Sequence, residues 1–140
     1  MKLTPYLFFN GTCETAMRRY AEIFGAEIVG IMKNGDAEPE YRMPGSDDLI
    51  MNMMIRFGDC EIYASDSTPD REAVHGGYDI HVEADSLEDG ERIFNALADG
   101  GAVHMPYAPM FWAERFANLT DKFGVNWMIS YTGNAMADMG

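Results

Sequence analysis

"YDIHVEADSLEDGERIFNALADGGAVHMPY", residues 78–107, decides how the rest of the chain is read. Its first part, "YDIHVEA", alternates apolar and polar side chains as a half-buried strand does. Ser86 then precedes a segment in which Ile93, Phe94, Leu97 and Ala98 return at helical spacing. Asp89, three residues after Ser86, makes a capping box with Asp in place of Glu. Gly100-Gly101 stops that helix, and "AVHMPY" opens another strand. The same order occurs earlier in the chain. "TPYLFFN" reads as a strand and Thr12 as a helix cap. Ala16, Met17, Tyr20, Ile23 and Phe24 form a buried stripe, and Gly25 is the stop. The two caps lie 74 residues apart, about half of the 140-residue chain.

Both halves continue alike. In the first, "AEIVGIMK" is a strand, "NGDAEPEYRMPGSDD" a mobile loop, and "IMNMMIRF", the turn "GD" and "CEIYASD" a hairpin. In the second, "AVHMPY" leads to "FWAERFANLT", the turn "DKFG" and "VNWMISY". Within the last strand Trp127 and Ile129 face one way, Met128 and Ser130 the other. Phe111 and Trp112, taken as strand neighbours, face opposite ways, so one of them reaches a cleft or an interface. The expected fold is therefore α+β, a single domain over residues 1–140 built from two βαβββ modules, about 1–66 and 77–131, with 132–140 a loose tail. One such module leaves a sheet face uncovered. Two mixed sheets placed side by side curl into a shared cleft with the helices outside.

Charge narrows the partners. With 23 acidic against 10 basic side chains the net charge is −13, a field that repels phosphate backbones and anionic lipid. Neither nucleic acid nor a membrane is expected as a partner. Nothing reads as a signal segment or a membrane span, and Cys13 and Cys60 form no CxxC pair, so a reducing, cytoplasmic compartment is expected. Cys60, at a strand start, reads as a small buried apolar residue rather than a reactive thiol. The 12 Met suit an irregular core and an adaptable apolar pocket alike.

Several polar positions are candidates for a site. His81 alternates with Asp79 and Glu83, so the three share one strand face, turned either into a cleft or to solvent. Ser65 and Asp66 end a strand where a hydroxyl and a carboxylate can meet a ligand; alternatively Asp66 caps the loop "DSTPD". No His in that word makes Ser65 a nucleophile. His75 and His104 read as an ordinary loop residue and a strand-surface residue. "DKFG" reads as a structural turn in which Gly124 supplies the special backbone angle.

The words "PYLFFNG", "FGAE", "ASD", "MPYAPMFWAERF" and "TDKFGVNWMI", spread from Leu3 to Tyr131, together resemble the PhnB-like proteins. That family also carries the label of a 3-demethylubiquinone-9 3-methyltransferase domain. It belongs to the vicinal oxygen chelate superfamily of glyoxalase I, extradiol dioxygenases and the bleomycin- and fosfomycin-resistance proteins. Methyl transfer finds no Gly-rich turn between a strand and a helix of a doubly wound sheet in this chain. The resemblance implies a glyoxalase-like cleft and a bacterial, cytoplasmic homodimer. In the superfamily's metal enzymes, ligands come from the first and last strands of each module. Those positions fall near Pro5 or Leu7, at Tyr63 or Ser65, at Asp79 or His81, and at Met128. Only the third holds a usual metal donor, so no cofactor is expected and a divalent metal is disfavoured. Where related chains carry a His in an "IxHA" word, this chain has Asn52, which is no general base at neutral pH. The expected function is binding of a small organic molecule, with no reaction assigned. Asn52, Tyr63, Ser65, Asp79, His81, Trp112 and Met128 are the cleft candidates. The alternatives are a divalent-metal lyase or dioxygenase, and a drug-sequestering resistance protein without turnover.

Overall fold

Strand alternation sets the first layer. In β1 (Tyr6–Phe9) Leu7 and Phe9 are buried while Tyr6 and Phe8 are exposed. The computed structural model describes residues 1–135. They divide into two compact units, one of Met1–Val74 and one beginning at His75. The first unit continues through α1 (Cys13–Phe24), β2 (Glu27–Lys33), β3 (Ile50–Phe57) and β4 (Cys60–Asp66). Its sheet runs β1-β4-β3-β2, with β1 parallel to β4 and the other pairs antiparallel. α1 places Ala16, Met17, Tyr20 and Ile23 against one sheet face, where Leu7, Phe9, Met53, Ile55, Ile62 and Ala64 complete the core. Each large apolar side chain removed from water there contributes about 1.5–3 kcal/mol. Gly25, at φ +64°, ends the helix in the left-handed region that glycine enters without a Cβ penalty.

The helix start differs from the expectation. Thr12 occupies the N-cap position, but its side chain makes no capping hydrogen bond. A residue distant in sequence but next to Phe9 on the neighbouring strand supplies the acceptor instead. Asp66 Oδ1 accepts from the N–H groups of Gly11 and Cys13, both at 3.0 Å, and Oδ2 accepts from Ile50 N at 2.9 Å. Asp66 is 3% exposed, so it is neither a ligand contact nor a cap of the loop that follows it. The segment read as a mobile loop is likewise tied down. Buried Asn34 accepts from Met43 N at 2.7 Å and donates to the carbonyls of Met43 at 2.9 Å and Ser46 at 3.2 Å. Two short 3-10 turns, Asn34–Asp36 and Pro39–Tyr41, complete that stretch.

The second unit repeats the order with β5 (Ile80–Glu83), α2 (Leu87–Ala98), β6 (Ala102–Met110), β7 (Ala113–Thr120) and β8 (Asn126–Tyr131). Its sheet runs β5-β8-β7-β6, and β5 is parallel to β8 as β1 is to β4. Ile93, Leu97, Ala117, Leu119, Trp127 and Ile129 form its core. Ser86 Oγ accepts from Asp89 N at 3.0 Å, the expected cap. The Asp89 carboxylate turns to Arg92 at 2.9 Å. Gly90 sits under Tyr107, whose hydroxyl donates to Leu87 O at 2.9 Å; a Cβ at Gly90 would stand closer to the Tyr107 hydroxyl oxygen than any real contact allows.

Three local expectations are corrected in this unit. β6 runs on through Pro106 and Pro109 to Met110, with three register breaks along its pairing with β7. Phe111 and Trp112 consequently form the turn between those strands rather than facing opposite ways within one. The early tail is also held, because Glu83 accepts from Thr132 N at 2.9 Å and Thr132 Oγ1 at 2.7 Å. Glu114 accepts from Asn134 N at 3.0 Å. The rest of the expected loose tail, residues 136–140, lies outside the described residues.

The "DKFG" turn is structural, and Asp121 explains it. Its Oδ1 accepts from Phe123 N at 2.8 Å and Val125 N at 3.0 Å, while Oδ2 accepts from the Trp127 indole N–H at 2.9 Å. Gly124 adopts φ +89° to close the turn. Among the described residues no helix is long and apolar enough to cross a membrane.

Candidate functional site: the helix-distal sheet faces

The side chains that point away from α1 form an organised surface. They are Tyr6 and Phe8 of β1, Glu61, Tyr63 and Ser65 of β4, and Asn52, Met54 and Arg56 of β3, as the strand registers require. The Tyr6 ring lies 5.0 Å from Phe8 and meets Tyr63 edge-on at 6.3 Å. Its hydroxyl hydrogen-bonds Ser65 Oγ, which donates in turn to Met51 O at 3.0 Å. Tyr63 donates to Glu61 Oε2 at 2.7 Å, and Glu61 also binds Lys2 and lies 3.5 Å from Arg56 Nε. The Lys2 hydrogen bond above all, with that of Tyr63, holds the Glu61 carboxyl down to about 2. The same bond to Glu61 pushes the Tyr63 phenol above its ordinary range. Asn52 is half-buried, and its side chain makes no hydrogen bond among the described residues. Gly30 leaves space for Met54, since a Cβ there would sit 3.0 Å from Met54 Cε.

On the second sheet the corresponding face carries His81 and Glu83 of β5, Asn126, Met128 and Ser130 of β8, and Phe116, Asn118 and Thr120 of β7. His81 Nε2 and Ser130 Oγ are 3.0 Å apart. This bond repeats the one between Tyr6 and Ser65. Tyr6 stands opposite Tyr63, and His81 opposite Met128; in both sheets the serine lies two residues further along the last strand. The duplication therefore extends from element order to an individual hydrogen bond. His104 Nε2 meets Thr120 Oγ1 at 2.8 Å on this sheet, while His75, in the preceding loop, approaches the Tyr78 hydroxyl at 3.4 Å. Trp112 packs edge-on against Phe111 at 4.7 Å and Phe116 at 5.3 Å.

Of the residues singled out in the sequence, Asn52, Tyr63 and Ser65 come together on the first face, and His81 and Met128 on the second. Asp79 is exposed just before β5, and Trp112 belongs to a turn. The first-strand metal position expected near Pro5 or Leu7 is corrected: Leu7 is 1% exposed in the core, and the residue on the open face is Tyr6. "YLFF" is apolar throughout, so the run alone does not say which face each residue takes. Ser130, Glu61 and Asn118 join these faces without a sequence word that singles them out. Carrying the Tyr63/Ser65 alternation onto "WMIS" points to Ser130.

A divalent ion of the oxygen-chelate kind would need several oxygen or imidazole donors. On the first and last strands of the two modules the open faces present Tyr6, Phe8, Glu61, Tyr63, Ser65, His81, Glu83, Met128 and Ser130. Glu61, Glu83 and His81 are the usual donors among them. Glu61 is engaged by Lys2 and Tyr63, Glu83 by Thr132, and His81 by Ser130. Among the described residues no three His, Cys, Asp or Glu side chains converge on one point. The cysteines divide oppositely to the expectation for Cys60. It is exposed at the start of β4, after the two-residue turn, whereas Cys13 is buried and its thiol is pushed far up, first by burial and then by Asp66 and Glu14.

Comparison with known proteins places this architecture. The model of a family described as 3-demethylubiquinone-9 3-methyltransferase matches residues 1–130. Protein YjdN of Escherichia coli is 33% identical over 139 residues, covering 93% of this chain and 95% of its own. A Pseudomonas aeruginosa protein of known structure is 38% identical, with a TM-score of 0.87 over 94% of this chain and 97% of its own. A Bacillus cereus structure titled as a PhnB protein is 27% identical, with a TM-score of 0.78 over 94% of this chain and 99% of its own. The fold extends to the fosfomycin resistance protein FosX of Mesorhizobium loti, at a TM-score of 0.63 and 14% identity over 99% of this chain and 96% of its own. With a four-stranded sheet in each unit, the repeated serine-anchored bond and a family match over nearly its whole length, the chain belongs to this PhnB-like family described as 3-demethylubiquinone-9 3-methyltransferase, and its fold is the one seen in FosX.

Proposed function

We propose that this protein binds a compact organic molecule on the helix-distal side of its sheets, without a metal ion. The observation that carries the reading is Asn52. A half-buried carboxamide without an internal hydrogen bond, set among Met54, Ser65 and the Tyr6/Phe8/Tyr63 rings, is the mixture of apolar wall and few polar groups that small-molecule sites use. Asn52, Tyr63 and Ser65 are the contacts of this reading on the first sheet; His81 and Met128 are the separate candidates on the second. The reaction, if one follows binding, is unassigned. A bacterial cytoplasmic homodimer belongs to the same reading, and sedimentation checks its assembly state.

The test is a thermal-shift screen of neutral and charged organic molecules, with elemental analysis of protein purified without affinity metal. A ligand at about 100 times its Kd stabilises the folded state by about 2.7 kcal/mol, a shift of several degrees in Tm for a chain of this size. Hits that Asn52→Ala weakens support the reading, and binding at one per chain without turnover makes it a sequestering protein. About one tightly held transition ion per chain, whose removal lowers Tm, overturns the metal-free reading and restores the lyase or dioxygenase class.

A further inference from the structure

Asn118 is the residue that the hydrogen-bond pattern leaves unexplained. It lies on β7, and its side-chain Oδ1 is buried from solvent without a hydrogen-bond partner; no other side-chain oxygen or nitrogen among the described residues is in that state. A buried acceptor left unpaired is destabilising, and native proteins retain such groups where a water, an ion or a ligand completes them. Its surroundings are specific. Asn118 stands opposite Met128 on β8 and opposite Met105 on β6, and Met128 stands opposite His81 on β5. A single row across the helix-distal face thus reads His81, Met128, Asn118, Met105. Glu83, Ser130 and Phe116 occupy the next row; Ser130 is bonded to His81, and the Glu83 carboxylate is taken up by Thr132.

We infer that the Asn118 carboxamide is the polar recognition group of the second sheet, reading the donor-acceptor edge of a neutral amide or lactam. The ligand N–H completes Oδ1, and its carbonyl accepts from Nδ2. The charge of the row selects neutrality. No Lys or Arg stands in it to compensate an anion, the chain as a whole carries −13, and an ammonium ion would find no carboxylate in the row. The apolar part of the ligand rests on Met128 and Met105. Both are unbranched thioethers, half-buried, that can swing aside to uncover Oδ1 and then close on a ligand of irregular outline. This inference rests on the small-molecule reading above and gives that reading a ligand class.

The experiment uses the full chain labelled with 15N and a matched pair of probes, phenylacetamide and N,N-dimethylphenylacetamide, titrated in 1H–15N correlation spectra. Phenylacetamide is expected to move the Asn118 side-chain NH2 and the Met128 backbone amide, and to bind at least tenfold more tightly than its dimethyl analogue. Asn118→Leu fills the same space without the orphan oxygen. It is expected to weaken phenylacetamide at least tenfold while leaving Tm unchanged or raised. Equal binding of the two probes, no perturbation at Asn118, or a Tm fall of many degrees in Asn118→Leu overturns the inference; the last would mean that a held water alone completes the amide. Screening hits that bind Asn118→Leu normally remove the role of Asn118 and leave the small-molecule reading standing. A complete lack of hits removes both.

Discussion

Replacing Asp121 by Asn isolates the bond that makes "DKFGVNW" a structural word. The side chain keeps its size, and Oδ1 still accepts from Phe123 N and Val125 N. What changes is the atom facing Trp127. An acceptor at 2.9 Å from the indole N–H becomes an NH2 group, so two donors oppose each other in a place where Trp127 is 1% and Asp121 6% exposed. A hydrogen bond to a charged group contributes about 1.5–3 kcal/mol, and a buried donor left unpaired costs about 1–3 kcal/mol. The expected loss is therefore about 2–3 kcal/mol. With a urea m-value of about 2 kcal/mol per molar, this lowers the midpoint by about 1–1.5 M. Asp121→Ala strips all three donors and should cost more, about 4 kcal/mol. Equilibrium urea unfolding followed by Trp fluorescence and far-UV circular dichroism measures both. Trp127→Phe in the Asp121→Asn background should recover part of the loss, because the opposed donor is then absent. An Asp121→Asn protein within about 0.5 kcal/mol of the parent, at unchanged m, would refute the argument that this carboxylate fixes the turn and the indole together.

The two helix starts predict opposite outcomes for similar substitutions. Ser86→Ala removes a bond to Asp89 N and should cost about 1 kcal/mol, whereas Thr12→Ala should stay within about 0.5 kcal/mol of the parent because Asp66 provides the acceptor. Chemical denaturation of the two variants decides this, and a Thr12→Ala loss as large as that of Ser86→Ala would refute it. Glu61 gives a pH test. Its carboxyl is held at about 2 in the folded chain, against 4.5 when unpaired, so its stabilising effect is present above about 4.5 and is lost as pH falls toward 2. The stability difference between the parent and Glu61→Gln, measured across that window, should shrink as the solution is acidified; a constant difference would remove the Lys2–Glu61–Tyr63 network as its source.

The parts of the fold legible in the sequence were those with local rules. Gly58-Asp59 between two apolar runs fixes the β3–β4 hairpin, Gly25 ends α1, and Ser86 starts α2, each within a few residues of its partners. The repeat was legible for the same reason, since both helices begin the same distance after a short strand. What escaped are acceptors brought in from far along the chain. Asp66 binds Cys13 N across 53 residues, and His81 meets Ser130 across 49. No spacing rule links such positions until the sheet order is known. Phe111 and Trp112 escaped because prolines argue against a continuing strand, yet β6 absorbs Pro106 and Pro109 at its register breaks and carries the turn forward. The candidate faces were partly within reach: alternation places Tyr63 and Ser65 on the first sheet's open face and His81 and Met128 on the second's, whereas Asn118 became visible only through the unpaired state of its oxygen.

Those two prolines bear on how the protein behaves when crowded. β6 is the outer strand of its sheet, and Pro106 and Pro109 remove backbone donors that an incoming strand would need, while the broken register bends the ladder away from a straight template. Growth of the second sheet by recruitment of unfolded chains is obstructed at that border. On the first sheet β2 is the outer strand opposite β1 and has no proline; it is guarded by Glu27 and Lys33 at its ends and by two register shifts, around an exposed Ile31-Met32 pair. Of these two borders, the one at β2 has the weaker protection against strand addition.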